Sequence, residues 1–141
     1  MFRTVKDKEY MADYIRRHGY VTVKVEEDRT SIGDLAIFCG LLFPYNPRKA
    51  KLAEVLLREM SRRKTRRMEL TSISNEICRR EHCSATTLSQ TWKALLNSGL
   101  LVRTRRNEPA QLSETFSNRL EMIANYWRER VKEIPKGELA R

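Results

Sequence analysis

Ser84 and Gly99 bracket the stretch that most restricts how this chain can fold. Between them Leu88, Trp92 and Leu95 recur at i, i+4 and i+7, with Leu96 beside them, which is one apolar stripe along a helix. A serine just before the first turn can accept a hydrogen bond from a backbone N–H that the helix leaves unpaired. A glycine just past the last turn takes the left-handed conformation that stops it. Both ends are thus written locally, and the helix they define must bury its stripe against other elements. The chain beyond Gly99 reads as extended through Leu100-Leu-Val-Arg-Thr-Arg, turns at a polar tip Arg105-Arg-Asn-Glu-Pro, and returns at Ala110-Gln-Leu.

Elements to receive that stripe lie upstream. The break from Pro44 to Pro47 also opens a helix, since Asn46 can cap it and proline suits the first helical position. From 48 to about 64 the spacing buries Leu52, Val55, Leu56 and Met60 and leaves Arg48, Lys49, Lys51, Arg58, Arg62, Arg63 and Lys64 on the other faces. A short extended piece, Met68-Glu-Leu, precedes a helix over 72–82 with Ile73, Ile77 and Cys78 inward, and His82-Cys83-Ser84 forms the turn into the bracketed helix. Nearer the start, residues 4–18 read as a short helix with Tyr10, Tyr14 and Ile15 on one side and Gly19 as its stop. Tyr20-Val-Thr-Val-Lys-Val alternates and predicts a strand with Val21, Val23 and Val25 on one face. Ser31 followed by Asp34 resembles a helix start, with Leu35, Phe38, Cys39 and Leu42 at helical spacing, although a buried strand fits the same run. At the far end Phe116, Leu120, Ile123, Trp127, Val131 and Ile134 form one apolar seam on a long helix from Thr115 to about Ile134. That seam exceeds what one small core covers and points to a second subunit.

The chain has 141 residues, 40% of them hydrophobic, enough for a single core. It carries 28 Lys and Arg against 18 Asp and Glu, a net charge of +10. The excess is not uniform: residues 1–47 and 108–141 each balance to zero, so all of it lies between Arg48 and Asn107. Concentrated positive charge favours a polyanionic partner, nucleic acid before an acidic membrane surface. No apolar run is long enough to span a bilayer, no secretory leader is evident, and the three cysteines make no disulfide framework. These features read as a cytoplasmic, nucleoid-associated protein.

The order from 48 to 112 is helix, short strand, helix, turn, helix, glycine, strand, basic tip, strand. With Leu70-Thr-Ser-Ile-Ser-Asn-Glu-Ile for the first strand and second helix, and the run from Ser84 through Trp92 and Gly99-Leu-Leu to Arg103, this resembles the winged-helix family of DNA-binding domains. The resemblance implies a mostly α fold with a small β component. Residues 1–45 would be an N-terminal α/β extension packed on the core, 46–114 a winged helix-turn-helix, and 115–141 a long C-terminal helix for dimerisation. The helix-turn-helix turn often holds an aliphatic residue where this chain has Cys83, which is accordingly assigned to core packing.

In that arrangement the third helix exposes Ala85, Thr86, Ser89, Gln90 and Lys93 to the major groove. Gln90 can pair with adenine, Thr86 and Ser89 can meet bases or phosphate, and the Ala85 methyl can meet thymine. The wing offers Arg103, Arg105, Arg106 and Asn107 to a minor groove or to phosphates. The densest basic run supplies Arg62, Arg63, Lys64, Arg66 and Arg67 for backbone contact. Phe116, Leu120, Ile123, Trp127 and Val131 form the expected homodimer interface. A two-fold dimer would present two such helices roughly 34 Å apart, one turn of duplex.

Other chemistry has little purchase. Cys78 and His82 stand one helical turn apart beside Cys83, but a structural zinc needs four ligands and the second pair is missing. No phosphate-cradling glycine loop or nucleophile motif is present, so neither enzyme, metal, cofactor nor small-molecule ligand is expected. Three other readings stand beside this one: a DNA-organising or plasmid-segregation protein of low specificity that would use the same basic footprint, a winged helix retained as a protein-interaction module, and single-strand binding by the N-terminal strand region with Tyr20 and its neighbours.

Overall fold

The computed structural model describes residues 19–24, 31–63, 67–105 and 108–138. Within them the chain is mostly helical, with one small antiparallel sheet. Helix α1 spans Leu35–Leu42, α2 Pro47–Arg62, α3 Leu70–Glu81 and α4 Ala85–Ser98. The strands are β1 (Arg67–Met68), β2 (Leu101–Val102) and β3 (Ala110–Leu112), in the order β1-β3-β2. Helix α5 (Thr115–Lys132) follows, and a single 3-10 turn covers Lys136–Glu138.

Local chemistry sets most of these ends. The Asp34 carboxylate accepts from the Ile37 N–H at 2.8 Å, so the run after Ser31 starts a helix and not the strand it could also have been. Asn46 accepts from the Lys49 N–H at 3.1 Å, with Pro47 as the first residue of α2. Helix α3 begins two residues earlier than the spacing predicts, because half-buried Leu70 packs against the core. Helix α5 stops at Lys132, short of Ile134, since a residue preceding proline is driven out of the helical region and Pro135 follows.

Helix α4 lies at the centre. It packs on α2, α3 and β2, while α1 packs on α2. Leu52, Leu56 and Met60 of α2, Ile73 and Ile77 of α3, and Leu88, Trp92 and Leu95 of α4 meet in one core with Met68, Leu101 and Ala110 from the three strands. Met68 stands opposite Ala110 and Leu101 opposite Leu112, so strands of two or three residues suffice to close one side of it. Val55, expected inside, is half-buried, and Ala53 and Leu57 are buried on the same helix.

The strand expected from Tyr20 to Val25 does not form across residues 19–24, and Val25 lies outside the described residues, as does the helix expected over 4–18. The alternation is real, but its partner is not a strand. Thr22 N–H donates to the Leu42 carbonyl at 2.8 Å and Lys24 N–H to that of Leu41 at 2.9 Å. Carbonyls at the end of a helix have no partner within it, and the extended segment fills that need for α1. Val21 is half-buried on the core, whereas Val23 is exposed. No described helix is long and apolar enough to cross a membrane.

Gly99 has φ +89°, and a Cβ built there would lie 2.9 Å from Thr115 Cγ2 and 3.1 Å from the Phe116 nitrogen. Gly99→Ala combines left-handed strain with a clash between α4 and α5 and should cost about 1–3 kcal/mol in urea denaturation. Burial pushes the Cys39 thiol up to about 12, with Glu54 adding to the rise. A thiol whose folded pKa is raised stabilises fully below its unfolded pKa, and that contribution is lost as pH rises toward 12. Cys39→Ala should therefore flatten the alkaline fall in stability measured between about pH 9 and 11, and in the native protein at pH 8 Cys39 should escape alkylation.

Candidate nucleic-acid interface

The site begins with how α4 is held. The Ser84 hydroxyl accepts from the Thr87 N–H at 3.1 Å and stands 2.9 Å from the Thr87 hydroxyl. On the inward side Leu88, Thr91, Trp92, Ala94 and Leu95 are buried, and the Thr91 hydroxyl donates to the Thr87 carbonyl at 2.9 Å. Trp92 is a core residue, 6% exposed, and offers no stacking platform. Outward, Ala85, Thr86, Ser89 and Lys93 are exposed and Gln90 is half-buried. No carboxylate occurs anywhere on this 14-residue helix.

The turn ahead of α4 is braced from two sides. Cys83 N–H donates to the Cys78 carbonyl at 3.1 Å around His82, whose φ of 52° is left-handed. This is the closing geometry that brings the third residue before a helix end against the second residue beyond it. It sets the Cys83 and Cys78 thiols in hydrogen-bonding contact, and burial followed by that contact raises the Cys83 thiol. Both half-buried thiols pack on the core, as expected for Cys83, and both are free. From α2, the Arg48 guanidinium donates to the Glu81 carbonyl at 2.8 Å and to the His82 carbonyl. Arg48 is thus a positioning residue for the turn, a role that helical periodicity on α2 alone could not reveal.

Beyond β2, Arg103 and Arg105 are exposed, and the Glu108 N–H closes a turn onto the Arg105 carbonyl at 3.0 Å. Arg106 and Asn107 lie outside the described residues. Lys93 from α4 and Arg103 from the β2–β3 connection line one shallow groove of about 290 Å³ with Leu96, Asn97, Leu101 and Val102. Two cations from different elements therefore face the same opening.

The basic run at 62–67 is placed differently. Arg62 lines a separate cleft of about 600 Å³ with Arg58, Arg80, Leu35 and Val55, and it is paired with Glu59. Arg63 is half-buried and faces Glu59 at 3.7 Å. Lys64 and Arg66 lie outside the described residues, and Arg67 is exposed on β1, at the opposite sheet edge from β2. Within α2 the cations are largely committed: Arg58 meets Glu54 at 3.1 Å, Lys51 lies 3.8 Å from the same carboxylate, and Lys49 is buried, which pulls its ammonium below the usual lysine range.

One neighbour of α4 has no signal in the sequence. A Cβ built on Gly19 would lie 3.2 Å from both the Gln90 carbonyl oxygen and Lys93 Cβ, and the Asn97 amide donates to the Gly19 carbonyl at 3.0 Å. The N-terminal segment therefore borders the C-terminal half of the outward face, and the open half runs from Ala85 to Ser89. Comparison with protein-family models, curated proteins and solved structures finds no match to this chain.

Ser84→Ala removes the cap that starts the exposed face and should lower stability by about 1 kcal/mol. Hydrogen exchange should show the loss as faster exchange of the amides at Ala85–Thr87.

Proposed function

We propose that residues 46–114 form a winged helix-turn-helix that binds double-stranded DNA in a sequence-specific manner, as a transcriptional regulator. Helix α4 enters the major groove and the β2–β3 connection is the wing. The observation that carries this reading is the carboxylate-free outward face of α4, bordered by a groove that Lys93 and Arg103 line together. A helix presented by its partners with small polar side chains outward can approach base edges. Cations from a second element on the same side can bracket the phosphates. Thr86 and Ser89 meet bases or phosphate, Ala85 a thymine methyl, and Lys93, Arg103 and Arg105 the backbone. Arg62 and Arg63 contribute less than their number suggests, because Glu59 already faces both. The chain acts as a homodimer through the apolar seam of α5, on which no residue is buried.

Binding of the full chain to random duplex across a salt series tests the footprint. Lys93→Ala with Arg103→Ala should weaken binding to every sequence and flatten the log–log salt slope by about 2. An unchanged slope would take both residues off the phosphates. Selection from a random duplex library should recover sites held about 10³-fold or more above random DNA. A flat enrichment would replace the regulator with a DNA-organising protein of low specificity.

A further inference from the structure

Helix α5 carries 18 residues, about 27 Å of helix, with none buried. Among the described residues its ties to the body gather at its start, while Ala124 and Val131 further along are half-buried. Phe116 packs edge-on against Phe38 with ring centroids 6.3 Å apart, and the Arg119 guanidinium donates to the Asn97 carbonyl at 2.9 Å. Past its start the helix presents Ile123 at 63% exposure, Tyr126 at 68% and Trp127 at 65%, with Leu120 nearly two-fifths exposed, and Ile134 just beyond the helix is exposed to the same extent. Two aromatic side chains of ~150–250 Å² each, with the aliphatic neighbours, give two such faces on the order of 1,000 Å² to bury together, the lower end of a specific interface.

We infer that this face is covered by α5 of a second copy running antiparallel, centred near residue 125, in a register that sets Ile123 against the partner's Trp127 and Arg119 against the partner's Glu133. The inference rests on the dimer reading above and adds its orientation and register. At 100° per residue, Leu120, Ile123 and Trp127 fall in one narrow stripe, with Arg130 on one margin of it and Val131 on the other. In a parallel pair each of these positions meets itself, so Arg130 would face a second Arg130. Run antiparallel, Arg130 lies against the partner's Leu120. Its stem can cover that leucine while its guanidinium keeps the Glu133 carboxylate it already holds at 3.1 Å.

The flanks agree with this choice. Arg119, Tyr126 and Glu133 follow at seven-residue steps along one side of the stripe. In the antiparallel register that side meets its own copy reversed, so each Arg119 reaches a Glu133 at both ends and Tyr126 meets Tyr126 in the middle. A parallel pair would bring Arg119 to Ala124 and leave the charges unmatched. On the other flank Ala124 meets Ala124, and two small side chains allow the helices to approach closely. Arg119 can serve Asn97 and a carboxylate together, since a guanidinium has five donors.

The full-length chain should sediment as a dimer at micromolar concentration, and Ile123→Glu should leave it a folded monomer by circular dichroism. Arg119→Glu and Glu133→Arg should each weaken the dimer about tenfold, because each change removes two ion pairs between the helices and creates two repulsive contacts there, Glu133→Arg also breaking the pair with Arg130 within each copy. Together the two changes should restore most of the loss. Residues 14 apart on one helix lie about 21 Å apart and cannot pair directly, so rescue can come only through the partner. A dimer that Ile123→Glu breaks but in which the two charge reversals add would overturn the antiparallel register and leave the dimer standing. A chain that stays monomeric, its seam covered by its own N-terminal residues, would overturn both. DNA binding is measured separately and does not enter either outcome.

Discussion

Leu88, Trp92 and Leu95 hold one side of α4 in the core, and the rest of the molecule is arranged around keeping them there. Helices α2 and α3 receive that side, β2 continues from it, and α5 is anchored by Gly99 at its end. An isolated 14-residue helix is marginal in water, so α4 depends on this burial for its existence. Burial also fixes its rotation. With the inward residues set, Ala85, Thr86, Ser89 and Lys93 have nowhere to point but outward. What the molecule can present to a partner is the complement of what it must hide.

The parts of the fold that were legible in the sequence are those whose determinants are local. Asn46, Ser84 and Gly99 each act within three or four residues, and each marks a helix end where it was expected, whereas Asp34 caps α1 itself, three residues beyond the Ser31 that a capping box would use. The outward face of α4 follows from the inward spacing by subtraction, so it too could be read. Residues 20–24 could not, because alternation specifies an extended chain but not what it lies against. Here it lies against the end of α1, through the Leu41 and Leu42 carbonyls. Arg48 and Gly19 escaped for the same reason. Their partners are 33 and 78 residues away, and nothing in the residue types announces the pairing.

The charge distribution shows how composition and geometry can diverge. Arg48 to Arg67 is the most basic stretch of the chain, yet much of that charge is spent inside the fold. Arg48 braces a turn, Lys49 is buried, and Arg58, Arg62 and Arg63 face Glu54 and Glu59. Exposed pairs of this kind contribute only a few tenths of a kcal/mol each to stability, but they neutralise one another at a distance. A phosphate approaching α2 meets a mixed surface. One approaching between α4 and β2 meets Lys93 and Arg103, for which no ion pair is recorded among the described residues. The smaller cluster thus outranks the larger one as the footprint of the proposed interface.

That ranking bears on how the proposed interface could discriminate sequence. Gly19 and the Asn97 amide border the far half of α4's outward face, and Gln90, the side chain best suited to bidentate pairing with adenine, is half-buried there. The open half offers Ala85, Thr86 and Ser89. This is the end that approaches base edges when such a helix docks in a major groove. A methyl and two hydroxyls discriminate weakly alone, since a hydroxyl accepts from or donates to several edges. Specificity built on them must come from close fit of the backbone to the groove and from Arg103 and Arg105 sensing groove width. A two-fold partner would double whatever discrimination one copy achieves, so under the proposed reading an α4 face this sparse would make the proposed pairing of α5 a condition for reading sequence.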